Sequence, residues 1–412
     1  MAGQADTGID QPGLRRALSL RLVVLYGLGV TIGAGIYVLI GATSGRAGIH
    51  APFSFLIAAL VMAPTAASFA ELTSRMPVSA GEAAYVRHAF GSRGLALMVG
   101  LLVVTAGVVS AAAVAIGAAG YIRVFMDVPP DILTALVIVV MGLAAAWGIV
   151  ESVSVAAILT LIEIAGLLLI IGAGLTHDPA LVMRVSEVVP LTTEPDVWGG
   201  IFAAGLLAFF AFIGFEDMVN IAEEANEPLK TLPRAIFLTL LISTLLYVLV
   251  VSVAVLSVPI EGLAKSTAPL GFVYEQVTGG SPLVISAVAI VATLNGIIVQ
   301  MIMASRVLYG LSSQGDLPAI IGRVNRVTRT PLVATGLVVG IVLLLGLVFP
   351  IEGLAEMTSR VTLTVFCLVN LSLIRVKFRG EPVPKGGFQV RMWVPVTGLL
   401  ASLALLAHDI VG

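Results

Sequence analysis

Two stretches of this chain carry residue types that could hold a small polar molecule inside hydrocarbon. The first is Gly27-Leu-Gly-Val-Thr-Ile-Gly-Ala-Gly-Ile-Tyr37, with glycines at 27, 29, 33 and 35; the second is Phe209-Phe-Ala-Phe-Ile-Gly-Phe-Glu-Asp217. Both interrupt apolar runs, and backbone unwound in hydrocarbon is tolerated only where it lines a cavity or meets a ligand. They are read as broken helices. A break at Ile32 to Gly35 would free the amides of Gly33, Ala34 and Gly35 at the start of a second half-helix, whose dipole suits a carboxylate. Carbonyls near Ile32 and at Phe210, Ala211, Phe212 and Ile213 would accept from an ammonium group, and the two sets together match an α-amino acid. The alternative is that the glycines only permit tight helix packing, against which a break in each half of the chain weighs.

The acids come next. Glu163 lies nine residues into its apolar segment, near the bilayer midplane at ~1.5 Å per residue. An ionised acid is expensive at that depth, so Glu163 reads as a reversible proton site, or a sodium ligand if ionised. The other reading is a permanently protonated acid bonded to a carbonyl or to Thr31. Glu216 follows the second break and would carry a proton or brace the broken backbone, with the adjacent Asp217 pointing elsewhere. Glu223, Glu224 and Glu227, beside Lys230 and Arg234, read as a gate or loop ion-pair network. Thr293 and Asn295 are polar groups near mid-depth in an apolar segment, fit to touch a substrate or ion or to hydrogen-bond between helices. Phe210, Phe212 and Phe215 would form a lid or simply pack, and Arg360 would pair with Glu356 one turn earlier.

These residues must be positioned by membrane helices. Of 412 residues 58% are hydrophobic and 11% charged, against roughly 25% charged in soluble domains, which excludes a soluble globular fold. Apolar windows near 20–42, 52–72, 94–123, 131–150, 154–175, 198–223, 233–258, 283–312, 332–349, 359–376 and 393–411 give eleven spans. With the N-terminus cytoplasmic, 17 of the 22 Lys and Arg residues fall in cytoplasmic segments, as the positive-inside rule requires; the C-terminus is then outside. The first 19 residues are polar, with Asp6, Asp10, Arg15 and Arg16, and do not read as a cleaved signal. A lone cysteine, Cys367, excludes an intrachain disulfide or a cysteine metal cluster, and His50, His88, His177 and His408 are too scattered for a histidine metal site. A net charge of -2 gives no reason to expect nucleic acid. No metal or organic cofactor is expected; the coupling ion would be a proton, with sodium less favoured. The partners expected are the lipid bilayer and a free amino acid.

The ordered set Gly-Val-Thr-Ile-Gly-Ala-Gly-Ile-Tyr37, Phe-Phe-Ala-Phe-Ile-Gly-Phe-Glu216, Ala222-Glu-Glu-Ala-Asn-Glu-Pro228, Leu232-Pro-Arg-Ala-Ile236, Ser305-Arg-Val-Leu-Tyr309 and Gly315-Asp-Leu-Pro318 resembles the amino acid-polyamine-organocation (APC) transporter family from about residue 15 to 376. The resemblance implies an all-α polytopic membrane protein with a LeuT-like five-plus-five inverted repeat. Repeat one would be about 20–175 and repeat two about 198–376, with helices 1 and 6 broken at the equivalent positions Gly33 and Gly214. The segment 1–19 would precede this core, and 377–412 would add a cytoplasmic loop and a final helix. The resemblance places Glu163 where several relatives carry a lysine in place of the sodium ion of sodium-coupled members, and Glu216 where many carry an acid. Many relatives have a twelfth span, so a homodimer through that helix is in doubt. The expected activity is secondary transport of a neutral amino acid by alternating access with proton symport, in a bacterial inner membrane suggested by the Arg- and Ala-rich composition. Exchange of amino acids or polyamines and non-transporting sensing are the alternatives. An enzyme is not expected, because no His, Cys or carboxylate cluster resembles a hydrolytic site.

Overall fold

A computed structural model describes residues 18–77, 81–148 and 153–411. Asp6, Asp10, Arg15 and Arg16 lie outside the described residues, as does the side chain of Glu223. In hydrocarbon every backbone amide must find its partner within its own segment, and helices alone do this without closing a barrel. The chain accordingly folds as α1 (Leu20–Ile32), α2 (Ala34–Ala47), α3 (Ala51–Arg75), α4 (Gly81–Phe90), α5 (Arg93–Ile122), α6 (Pro130–Trp147), α7 (Val153–His177), α8 (Leu181–Arg184), α9 (Pro195–Phe210), α10 (Pro228–Ser257), α11 (Ile260–Lys265), α12 (Pro269–Thr278), α13 (Leu283–Ser313), α14 (Leu332–Val348), α15 (Ile351–Phe378) and α16 (Trp393–Val411). Short 3-10 helices interrupt this series, the longest at Phe215–Glu224. Prolines sit in the first turns of α3, α6, α9, α10 and α12, where the missing N–H costs nothing.

Among the described residues, eight helical stretches are long and apolar enough to cross a membrane; Leu20–Ile32, Leu332–Val348 and Trp393–His408 are shorter apolar helices. The chain is a multi-pass membrane protein. With 13 residues, α1 is only about 20 Å long against ~30 Å of hydrocarbon, so it crosses only together with α2. Two buried cores hold the bundle: one gathers α1, α3, α9, α10 and the 3-10 helix, the other α5, α6, α13 and α14. The run of small residues Ala111, Ala112, Ala113, Ala115 and Ala118 on α5 is buried and lets α5 pack closely on α13 and α15, the usual solution where lipid is as apolar as the side chains.

Candidate functional site

Helix α1 stops at Ile32 and α2 starts at Ala34, so the first break is the single residue Gly33, at φ -46° and ψ -133°. No side chain caps α2, and its opening amides are left to other elements or to a ligand. The second break is wider. Helix α9 ends at Phe210, residues 211–214 form a turn, and the chain continues as the 3-10 helix. Gly214 has φ +122°, a region that side chains with a Cβ rarely enter.

The two breaks touch. A Cβ added at Gly35 would lie 2.4 Å from Ala211 Cα, and one at Gly214 would lie 2.8 Å from the Val30 carbonyl oxygen. Gly33 is different, since its added Cβ would have nothing nearer than the Gly29 carbonyl at 3.6 Å; packing does not demand glycine there. Helix α13 runs past this point, with the Ala292 carbonyl 3.8 Å from the same position. One turn further along α13, Asn295 is buried and its Oδ1 makes no hydrogen bond. Thr293 instead turns back onto the Ala289 and Ile290 carbonyls of its own helix.

A residue that sequence reasoning missed joins the breaks. The hydroxyl of Tyr247 on α10 lies 2.6 Å from the Thr31 carbonyl and 2.9 Å from the Ala211 carbonyl, so its one proton is shared between a loose carbonyl from each broken helix. Its only local signal is a phenol in the otherwise apolar run Leu245-Leu246-Tyr247-Val248. The Ala211 carbonyl, expected to face an amine, thus already accepts a hydrogen bond. Phe212 is buried against Phe55 and Tyr247, its ring centroid 4.9 Å from that of the tyrosine, and Phe210 is buried in the second core; both pack. Phe215 joins a buried aromatic group with Phe69 and Phe366. Tyr247→Phe strips a donor from two carbonyls and is expected to cost about 1–3 kcal/mol, read as a lower thermal midpoint in detergent. An unchanged midpoint would count against the bridge.

Glu163 is fully buried on α7. Tyr37 Oη donates to its backbone carbonyl at 2.6 Å, and its carboxyl lies within electrostatic reach of the Tyr37 and Tyr247 hydroxyls. Helix α7 presses on α1 one turn earlier, where a Cβ on Gly29 would fall 2.1 Å from Thr160 Oγ1. Thr31 Oγ1 makes no hydrogen bond, so the Glu163–Thr31 bond that the sequence allows is not formed.

Glu216 braces the second break, its Oε2 accepting the Gly214 N–H at 2.9 Å. It also lines a cavity of about 30 Å³ with Ile213, Asp217, Glu82, Ser110 and Gln300, among others, room for a water or two. Asp217, expected to point elsewhere, faces the same cavity. Successive side chains on this 3-10 helix are about 120° apart, so the cavity reaches both only by wrapping around the start of the helix. Glu82, Glu216 and Asp217 are each more than nine-tenths buried, and no ion pair among the described residues reaches them. Three dry, like charges are too costly to hold together, so the cluster binds protons or a cation. No group of three or more His, Cys, Asp or Glu residues among the described residues is arranged to hold a metal ion.

Glu82 sits on α4, outside the spans, and burial lifts its carboxyl from 4.5 to about 7. The folded protein then holds this proton more tightly than the unfolded chain, so stability falls as pH rises from about 4.5 to 7. Glu82→Gln is expected to flatten that slope and to raise stability at pH 8 by up to about 3 kcal/mol, read as a higher thermal midpoint. A slope identical to the wild type in a pH series of thermal unfolding would remove Glu82 from the titrating set.

Other ion pairs lie at the ends of the bundle. Arg360 pairs with Glu356 at 3.3 Å as its spacing suggests, and Arg46 joins the same carboxylate at 2.5 Å. Glu227 pairs with Lys230 in an exposed position. Leu18 ties the start of the described chain to the end of the 3-10 helix, donating to the Glu224 carbonyl and accepting from the Asn226 amide.

Among the described residues, then, the chain is a helical multi-pass membrane protein in which two interrupted helices touch. The amino acid permease family matches residues 18–410, and the chain belongs to that family, within the APC superfamily; it is an amino acid transporter. It is similar to the branched-chain amino acid permease BcaP of Bacillus subtilis (29% identical over 402 residues, covering 91% of this chain and 84% of that protein). It is also similar to BcaP of Lactococcus lactis (26% identical, covering 94% and 88%). A third relative is the vacuolar cationic amino acid transporter 2 of Arabidopsis thaliana (29% identical, covering 89% and 60%).

Proposed function

We propose that the chain is a secondary active transporter that carries a neutral amino acid in symport with protons by alternating access. The observation that carries this reading is the contact of Gly35 with Ala211 and of Gly214 with Val30, which brings the loose amides of one break beside the carbonyls of the other. The amides of Gly33, Ala34 and Gly35 would hold the carboxylate, with Ile32 and the Phe210, Phe212 and Ile213 carbonyls toward the amine. Ala211 would contribute as the partner surface of Gly35, and Asn295 as a buried polar group beside the first break. No metal or organic cofactor is required, and sodium is the less favoured coupling ion. Protons would be taken up at Glu163 and at the cluster of Glu216, Asp217 and Glu82. In this reading the eleven apolar windows all cross the membrane of a bacterial cell as two inverted repeats plus a final helix, from a cytoplasmic N-terminus.

The names of the two BcaP relatives support a neutral, branched substrate. A cationic substrate is the second reading, favoured by the three buried acids beside Ile213 and by the name of the plant relative. Uptake of a labelled amino acid mixture into sodium-free proteoliposomes, with and without an inward proton gradient, tests both. Accumulation of branched-chain amino acids that collapses with a protonophore is the expected result. Accumulation of lysine or arginine would replace it with the second reading, and counterflow without net accumulation would replace symport with exchange.

A further inference from the structure

At the end of the bundle that carries α4, the segment 379–392 folds back under α3 and leaves a hollow of about 620 Å³, lined by Arg75, Lys377, Glu381, Val390, Arg391 and Met392, among others. Its floor is an ion set with unequal charges. Glu71, fully buried, is the one carboxylate shared by Arg75 and Lys377, each at 2.7 Å. Both cations are themselves more than nine-tenths buried as side chains. The rest of the set is neutral backbone: the Val390 amide donates to Glu71 at 2.8 Å, the Val390 carbonyl accepts from Lys377 at 2.6 Å, and the Glu381 carbonyl accepts from Arg75 at 2.7 Å. One positive charge is therefore left over in a place where water screens poorly. The other carboxylate on the wall, that of Glu381, is turned to His88 and Arg379. Arg391 adds a further cation at the rim, exposed and paired with no carboxylate among the described residues. Next in sequence to the lining residues Lys377 and Met392 stand two exposed aromatic side chains, Phe378 (78% exposed) and Trp393 (60% exposed), the residue type that collects at the level of lipid head groups.

We infer that this hollow is a binding site for a phosphate-bearing anion, presented by the head group of an anionic phospholipid whose acyl chains lie beside Phe378 and Trp393. Arg391 meets the phosphate directly and the excess charge on the Arg75–Glu71–Lys377 set holds it from below, the arrangement by which basic pockets at a membrane surface select anionic lipids. The site is separate from both helix breaks, so it stands whether or not the transport reading does. Its occupant would pin the 379–392 segment, which crosses beneath α3 through Phe388, whose amide donates to Ser74 and whose ring meets Phe237 edge to face, and so would brace α16 against α15.

The test uses the full-length protein in detergent, titrated with short-chain phosphatidylglycerol, with short-chain phosphatidylcholine, and with inorganic phosphate, each followed by the thermal midpoint. Phosphatidylglycerol is expected to raise the midpoint with at least about five-fold higher affinity than phosphatidylcholine, and Arg391→Gln to lose about that factor. Lys385→Gln removes the same charge from the same segment at an exposed position that does not line the hollow, and is expected to bind as the wild type does. Lys377→Gln balances the floor and is expected to weaken phosphatidylglycerol while Arg75 still satisfies Glu71. Equal affinity for the two lipids, or equal losses in Arg391→Gln and Lys385→Gln, would overturn the site. Protection by inorganic phosphate alone at the same affinity would overturn the lipid as its source and leave the anion site standing.

Discussion

Gly35→Ala is expected to leave no measurable uptake and little folded protein, although it adds one methyl group. The added carbon would lie 2.4 Å from Ala211 Cα, and a backbone atom cannot swing away as a side chain can. Overpacking of this kind costs about 1–3 kcal/mol where the surroundings can adjust; here the adjustment would separate the two breaks. Gly214→Ala is expected to be at least as severe, because the clash with the Val30 carbonyl adds to a φ of +122° that alone costs about 1–3 kcal/mol for a residue with a Cβ. Gly33→Ala separates fold from function. Its methyl has 3.6 Å of clearance, so expression and thermal midpoint should match the wild type. Substrate affinity should fall, because the methyl would stand where a carboxylate must approach the amides of α2. Thermal unfolding and binding of labelled substrate on the three purified variants give the comparison. A Gly35→Ala protein with wild-type midpoint and uptake would show that the breaks need not touch.

The reason the breaks could be read from sequence is that their signal is local. Glycines inside apolar runs, followed by an acid in one case, mark the interruption within a residue or two: Gly33 in the first helix and residues 211–214 after α9. What each break packs against depends on contacts between residues distant in the chain, and periodicity carries no trace of those. Tyr247 reaches Thr31 across 216 positions, and Glu82 meets Glu216 and Asp217 only because α4 folds under the second half of the chain. The apolar windows found the interiors of the long helices but misjudged their charged ends. Helix α15 begins at Ile351 rather than near 359, since Glu352, Glu356 and Arg360 depress the hydropathy of two turns that are nonetheless helical. Helices α4, α11 and α12 fall outside the apolar windows because they are too short or too polar to register as spans. Asp217 differs for another reason: neighbouring residues on a helix point apart, but the cavity wraps around the start of the 3-10 helix and meets both acids.

Glu163→Gln is expected to reduce proton-driven accumulation to the level of empty vesicles while binding and counterflow of substrate persist. The substitution keeps the volume of a fully buried side chain and removes only its ability to ionise, so packing between α7 and α1 at Gly29 and Thr160 is preserved. A buried acid in a membrane helix is costly to ionise and by default marks a functional site, and Glu163 stands where a change of its charge would have effect. The phenol that donates to its backbone, Tyr37, belongs to the half-helix that opens at the first break, and Tyr247, within electrostatic reach of its carboxyl, bonds to both breaks. A charge appearing at Glu163 would therefore act on groups that hold the two broken helices together. Glu216→Gln provides the contrast, since a glutamine carbonyl can still accept the Gly214 amide and the brace survives without a titrating group. If Glu163→Gln accumulates substrate normally on a proton gradient and Glu216→Gln does not, coupling belongs to the cluster of Glu82, Glu216 and Asp217, and the acid of α7 is structural. Loss in Glu163→Gln alone places the proton beside the first break, where its release would precede any movement of α1 against α7.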